Sequence, residues 1–160
     1  MPKCIILVGV PASGKSTWQY NKYGEYPPVV ASTDNIIQEI ASSYGMTYDE
    51  GFKGLIQIAE QIMWRQITTC LMRGSDFIID RTNLSVKSRK KFIDKLKLHH
   101  YNIECVVFPL PGTEKLSSDE WNRRLNSRRG KTIPGYILSS MIEHYEPPTE
   151  AEGFSKITII

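Results

Sequence analysis

The sequence predicts an α/β domain built on a central parallel sheet of five strands flanked by helices. Three observations carry that expectation. Five short apolar runs lack polar–apolar alternation, as strands covered on both faces do. Helix-patterned segments lie between the runs, as crossover connections require. A glycine-rich loop joins the first apolar run to the first helix.

The elements follow in order. Residues 4–8 (CIILV) form the first strand and run straight into the loop, so the start reads as a strand and not a secretory signal. The first helix begins inside the loop and extends to about Tyr23. The second strand, 29–31, precedes a helix over 35–43. A long helix over 48–72 carries Ile56, Ala59, Ile62, Met63, Trp64 and Ile67 near helical spacing. Thr47 and Glu50 form a capping box at its start, and Gly74 lies just past its end. The third strand is 77–79, closed by Asp80, and a helix over 86–99 follows. The fourth strand is 103–108 (IECVVF). Ser117 and Glu120 suggest a second capping box, opening a helix that stops before Gly130. A last helix follows Pro134, and 157–160 is the fifth strand. With no repeat, low-complexity tract or linker, residues 1–160 read as one domain.

Composition narrows the class. Hydrophobic residues make up 41% and charged residues 23%, which is ordinary for a soluble globular protein. No apolar run approaches the ~20 residues a membrane helix needs. Cys4, Cys70 and Cys105 form no C-x-x-C pair and sit far apart. Buried free thiols in a reducing, cytoplasmic compartment are the expectation. The histidines show no metal-ligand spacing. A formal charge of +3 is too small to argue for nucleic acid by itself.

The loop GVPASGKS, residues 9–16, fits G-x-x-x-x-G-K-[ST]. Gly9 and Gly14 let the backbone curl so that successive N–H groups, from Ala12 and Ser13 through Thr17, surround phosphate oxygens at a helix N-terminus. Lys15 adds positive charge at the β- and γ-phosphates, and the Ser16 hydroxyl suits Mg²⁺. The required context, a strand before and a helix after, is present. Asp80 at the end of the third strand supplies the carboxylate such a metal needs. A nucleoside triphosphate site, ATP or GTP, with Mg²⁺ is the reading.

Phosphate loops serve GTPases, motors and small kinases alike. Asn21-Lys22-Tyr23-Gly24 lies in the wrong place for a guanine reader and lacks its aspartate. A small kinase needs an acceptor-side base and an arginine-bearing lid that excludes water. Asp34, in VVASTDN at the end of the second strand, faces the same crevice as the loop and is the base candidate, with N-capping as its alternative duty. Arg123, Arg124, Arg128, Arg129 and Lys131 fall within nine residues and form the lid candidate. Lys87, Arg89, Lys90, Lys91, Lys95 and Lys97 spread around one helix and read mostly as a solvated basic face.

Together these fragments resemble the kinase half of the polynucleotide 5′-kinase family, nearly end to end. GVPASGKST resembles the family's phosphate loop, and STDN matches the position of its general base, Asp34. IIDRTNL resembles its D-x-T-N element through Asp80, Thr82 and Asn83. LNSRRGKTIP is similar to the lid segment whose essential arginine precedes a glycine, here Arg129. EPPTEAEGFSKI is like the P-T-x-A-E-G-F of the animal enzymes. Departures lie on the acceptor side: Ile37 stands where the phage enzyme has an arginine, and Leu125 where it has a second lid arginine, with Arg124 and Arg128 nearby. No phosphatase or ligase motif is present, so the kinase module alone is expected.

The resemblance implies a P-loop NTPase fold of the small-kinase type. It further implies transfer of the γ-phosphate of ATP, with Mg²⁺, to the 5′-hydroxyl of DNA or RNA. In that scheme Asp34, Lys15 and Arg129 are catalytic. Gly9, Ala12, Ser13, Gly14, Lys15, Ser16, Thr17, Arg128 and Arg129 bind nucleotide. Ser16 and Asp80 hold the metal, and Asp34, Thr82 and Asn83 line the acceptor side. A kinase of a small metabolite or nucleoside, and a non-catalytic nucleotide- or RNA-binding module, are the rival readings. No membrane partner is expected.

Overall fold

The computed structural model describes residues Met1–Ile160, and all five expected strands form. They are β1 (Lys3–Val8), β2 (Val29–Ala31), β3 (Phe77–Asp80), β4 (Asn102–Val107) and β5 (Lys156–Ile159). All pair in parallel, in the order β2-β3-β1-β4-β5. Leu7 lies opposite both Asp80 and Val106, so the chain leaves β1, β3 and β4 along one edge. That edge is the C-terminal one, where parallel α/β sheets bind ligands.

The helices are α1 (Lys15–Tyr23), α2 (Thr33–Ser43), α3 (Tyr48–Arg73), α4 (Val86–Leu98), α5 (Ser118–Asn126) and α6 (Gly135–Glu143). They cover the two sheet faces unequally. Cys4, Ile6, Val8, Phe77 and Ile79 pack into a large core with residues such as Ile37, Met63 and Phe92 from α2, α3 and α4. On the other face Ile5, Leu7, Ile78, Val106 and Phe108 are covered by Trp18 and Tyr23 of α1. All three cysteines are buried free thiols. No helix is long and apolar enough to cross a membrane.

Local signals at the helix ends explain the boundaries. Thr47 Oγ1 accepts the Glu50 N–H at 3.2 Å while the Glu50 carboxylate accepts the Thr47 N–H at 2.8 Å, completing the α3 capping box. Gly74 takes a left-handed φ of 60° and ends the helix. The second expected box is half formed. Ser117 Oγ accepts the Glu120 N–H, but the Glu120 carboxylate turns to Arg123 and Arg124 instead. Charge-assisted bonds to two guanidinium groups outcompete one neutral amide. Ser85 and Ser88 form a box at α4 that the sequence did not suggest.

The basic run on α4 needs one correction. Arg89 is fully buried, not part of a solvated face. Its Nε and Nη2 donate to the two Glu152 carboxylate oxygens at 2.8 and 2.9 Å, and Nη1 donates to the Asn83 carbonyl at 2.9 Å. A charge taken out of water survives only when its donors are all met, and this one is met bidentately. Glu152 lies in the short 3₁₀ turn Glu150–Glu152, and the neighbouring Phe154 is buried. The T-E-A-E-G-F segment therefore serves to neutralise Arg89 and seal the core.

Glu152→Ala should destabilise the fold by about 3–5 kcal/mol, because it strands a buried guanidinium. Chemical denaturation of the variant and the parent measures it. Burial pushes the Glu152 carboxyl up, but Arg89 and the Thr149 N–H outweigh it and hold the group below its ordinary value. The stability it contributes is thus complete above the unfolded value of about 4.3. It is lost as pH falls through the lower folded value, and the variant should lack that component of acid unfolding.

Candidate active site

The glycine loop between β1 and α1 is pinned at several points. The Gly9 N–H donates to the Thr82 carbonyl at 3.0 Å, joining the ends of β1 and β3. A β-carbon on Gly9 would lie 2.6 Å from Ser13 Oγ and 2.9 Å from Phe108 Cβ, so only glycine fits. Gly14 takes φ 107° and Ala12 φ 60°, which curl the loop into the start of α1. Trp121 of α5 donates Nε1 to the Pro11 carbonyl at 2.8 Å and fastens the outer side.

That curl leaves donors without acceptors. The amides of Ala12, Ser13, Gly14, Lys15, Ser16 and Thr17 donate to no backbone or side-chain oxygen. The Ser13 hydroxyl is buried and likewise unpaired. Converging N–H groups at a helix N-terminus form an anion site. Lys15 Nζ reaches back to the Gly9 carbonyl at 2.8 Å. Burial, with Arg128 and Lys131 nearby, pulls the Lys15 ammonium below its ordinary value against the opposing pull of Asp80 and Asp34. A polyphosphate fits this hollow: it supplies the acceptors and the negative charge that the loop lacks.

The cations divide unevenly around the hollow. Arg124 points its Nη1 to 3.9 Å from where a Gly14 β-carbon would stand, and its Nε holds Glu120 at 2.8 Å. Arg128 lines the same cleft, and its Nη1 is buried with no partner. Arg129 is exposed and lies outside the cleft lining. The chain turns directly after α5, which ends at Asn126, and that turn aims Arg128 inward and its neighbour outward. Of the two arginines expected at the nucleotide, Arg128 lines the cleft and Arg129 does not; Arg124 and Lys131 of the lid candidate line it as well.

Asp34 sits in the first turn of α2, opposite the loop. Ser32, whose Oγ accepts the Asn35 N–H at 3.2 Å, is the N-cap, so the Asp34 carboxylate is not spent on capping. Tyr48 donates its hydroxyl to Asp34 Oδ1 at 2.8 Å, and Lys131 donates Nζ to Oδ2 at 2.9 Å. Burial raises the Asp34 carboxyl, yet Lys131, Tyr48 and Lys15 together leave it below its ordinary value. Thr82 lines the cleft beside it. Asn83 does not. It is buried, and its Nδ2 donates to the Leu7 carbonyl at 2.8 Å, so its amide braces the β3–α4 turn instead of lining the acceptor side.

Ser16 and Asp80 both line the cleft. Asp80 Oδ2 accepts from Gln19 Nε2 at 2.9 Å, and its Oδ1 has no side-chain partner. A hydroxyl and a carboxylate beside an anion hollow form a hard-oxygen set that suits Mg²⁺. The cleft holds about 1200 Å³, and its lining includes Trp18, Phe108, Pro109 and Ile160 as well as Asp34, Tyr48, Phe52, Ile56, Ile137 and Met141.

Comparison with known proteins fits this geometry. Residues 4–148 match the AAA domain family. The chain is similar to the bifunctional polynucleotide phosphatase/kinase of Schizosaccharomyces pombe, at 26% identity over 153 residues covering 96% of this chain and 32% of that protein. It therefore spans about a third of that relative's length. Among solved structures it resembles Chaetomium thermophilum Kti12 in complex with ADP-AlF3, with a TM-score of 0.64, 15% identity, and 98% and 88% of the two chains covered. It also resembles a sugar kinase from Janibacter sp. HTCC2649, with a TM-score of 0.58, 16% identity, and 99% and 86% covered. At such identities these structures share the fold.

Gly9→Ala should displace Ser13 and weaken nucleotide binding at least tenfold, about 1.4 kcal/mol. Titration with a fluorescent ATP analogue measures it. Arg128→Ala should weaken binding more than Arg129→Ala, because only the former faces the hollow.

Proposed function

This chain belongs to the AAA domain family, and we propose that it is an ATP- and Mg²⁺-dependent kinase that phosphorylates the 5′-hydroxyl ends of DNA or RNA. The coarser class, a P-loop kinase, follows from the family and the loop. The acceptor assignment is carried by one observation: the similarity to a polynucleotide phosphatase/kinase extends over 96% of this chain. This chain spans 32% of that relative, and the phosphatase activity in that relative's name is not assigned to this chain.

In this proposal the cleft residues supply each part of the reaction. The amides of Ala12–Thr17 and Lys15 hold the β- and γ-phosphates, and Arg124 and Arg128 balance the charge that spreads over the transferring group. Ser16 and Asp80 would hold Mg²⁺, which would supply positive charge against the phosphates. The acceptor oxygen attacks the γ-phosphorus as the bond to the ADP oxygen breaks, and the hydroxyl proton passes to Asp34. Thr82 lines the acceptor side.

A second reading, a kinase of a small hydroxylated metabolite, draws on the apolar side chains Phe52, Ile56, Ile137 and Met141 in the cleft lining. Ile37, where the resemblance would place an acceptor-side arginine, is fully buried.

ATP labelled at the γ-phosphate, offered with 5′-hydroxyl and 5′-phosphorylated oligonucleotides, nucleosides and sugars, separates the two. Label on 5′-hydroxyl ends alone, with a Michaelis constant that rises steeply with salt, is the expected result. Asp34→Asn should cut the rate about 10²- to 10⁴-fold. Label confined to small acceptors would assign the second reading.

A further inference from the structure

Asp34 is gripped from two directions by groups outside its own helix. Tyr48, the first residue of α3, bonds one carboxylate oxygen, and Lys131, between α5 and α6, bonds the other. The two partners also hold each other: Lys131 Nζ lies 4.3 Å from the centroid of the Tyr48 ring. The Lys131 side chain is only 14% exposed, unusual for a lysine on a connecting segment.

The segment that delivers Lys131 is itself seated on the first turn of α3. Both Asp49 carboxylate oxygens accept the Thr132 N–H, at 2.9 and 2.8 Å. The Asp49 N–H donates to the Gly130 carbonyl at 2.8 Å. Gly130 has φ 67°, and a β-carbon there would meet Thr47 Cβ at 2.6 Å, so glycine alone allows this approach. Residues on either side of Lys131 are therefore fixed against Thr47 and Asp49, and the lysine between them reaches Asp34.

We propose that Lys131 and Tyr48 are positioning residues that lock the Asp34 carboxylate, ionised and in one orientation, toward the acceptor hydroxyl. This rests on the reading of Asp34 as the acceptor-side base. A carboxylate has about four lone-pair directions, so two donors leave room for the acceptor. The charged and titratable groups facing Asp34 are Lys131 and Tyr48, with Lys15 across the cleft. Tyr48 is raised from its ordinary value by burial and by Asp34 itself, so it stays a donor at working pH. The segment thus has two tasks. Arg128 serves the phosphates, and Lys131 serves the base. When residues 130–132 leave their seat, the base loses its fixed orientation.

Two readouts test the lock in Tyr48→Phe, Lys131→Met and Lys131→Arg. One is the titration of the Asp34 carboxyl followed by carbon NMR in the free protein. The other is the pH dependence of kcat with saturating ATP. Removing a donor to the ionised form raises the pH at which the carboxyl titrates. Both Tyr48→Phe and Lys131→Met should move it upward, Lys131→Met further, and the acid limb of kcat should move with it. At neutral pH kcat should fall about 10- to 100-fold, with Lys131→Arg recovering most of the loss and the KM for ATP changing by less than about twofold. An unmoved carboxyl titration in both variants, or a loss confined to the KM for ATP, overturns the lock. An inactive Asp34→Asn beside that result would leave the base assignment standing. A parent protein that labels no acceptor would instead overturn the kinase reading, and the NMR titration, which needs no turnover, would still decide the lock.

Discussion

A guanidinium in a dry core sets the frame of the catalytic edge. Arg89 has no water to fall back on, so each of its neighbours must present an oxygen at a fixed place. Glu152 does so from the C-terminal segment and the Asn83 carbonyl from the turn after β3. Asn83 then donates to Leu7 of β1, and the Thr82 carbonyl beside it receives the Gly9 N–H. One chain of bonds thus runs from residue 152 to the glycine loop. It fixes residues 80–83, which carry Asp80 and Thr82 to the cleft.

From that frame the cleft is built by opposition. Rigid sheet edges supply the phosphate loop, Asp80 and Asp34. The stretch from α5 to α6 supplies the cations and is fastened at two points, Trp121 to Pro11 and Asp49 to Thr132. Unmet donors cluster where polyphosphate oxygens would lie: six amides, the Ser13 hydroxyl and Arg128 Nη1. Two of these, the Ser13 hydroxyl and Arg128 Nη1, are buried, and buried polar groups without partners are uncommon; the amides are the open donors of the α1 N-terminus. Across the cleft Asp34 is balanced by Lys131.

Much of the fold was legible because its signals are local. Unalternating runs such as CIILV, the Thr47–Glu50 box and Gly74 each depend on residues a few positions apart, and the strands and helices appear where those signals fall. The glycine loop was legible for the same reason. What stayed hidden depends on distance along the chain. Lys131 meets Asp34 across 97 residues, Trp121 meets Pro11 across 110, and Arg89 meets Glu152 across 63. Arg89 looked like one more surface charge because its burial depends on a distant carboxylate. Arg128 and Arg129 differ only by which way one turn faces. Asn83 resembled an acceptor ligand in sequence, yet the turn uses its amide to reach β1. Tyr48, buried at the start of α3, carries no local signal in the sequence that it meets Asp34.

In the proposed reaction a nucleotide's terminal phosphate and an acceptor's 5′-hydroxyl meet between the loop and Asp34. Binding of ADP with aluminium fluoride, measured with and without acceptor, tests it most directly, because this pair mimics the transferring phosphoryl group. A 5′-hydroxyl oligonucleotide should tighten that binding, and ADP with aluminium fluoride should tighten oligonucleotide binding by the same factor. A 5′-phosphorylated oligonucleotide should do neither. Equal affinity for ADP with aluminium fluoride in all three conditions would contradict the account.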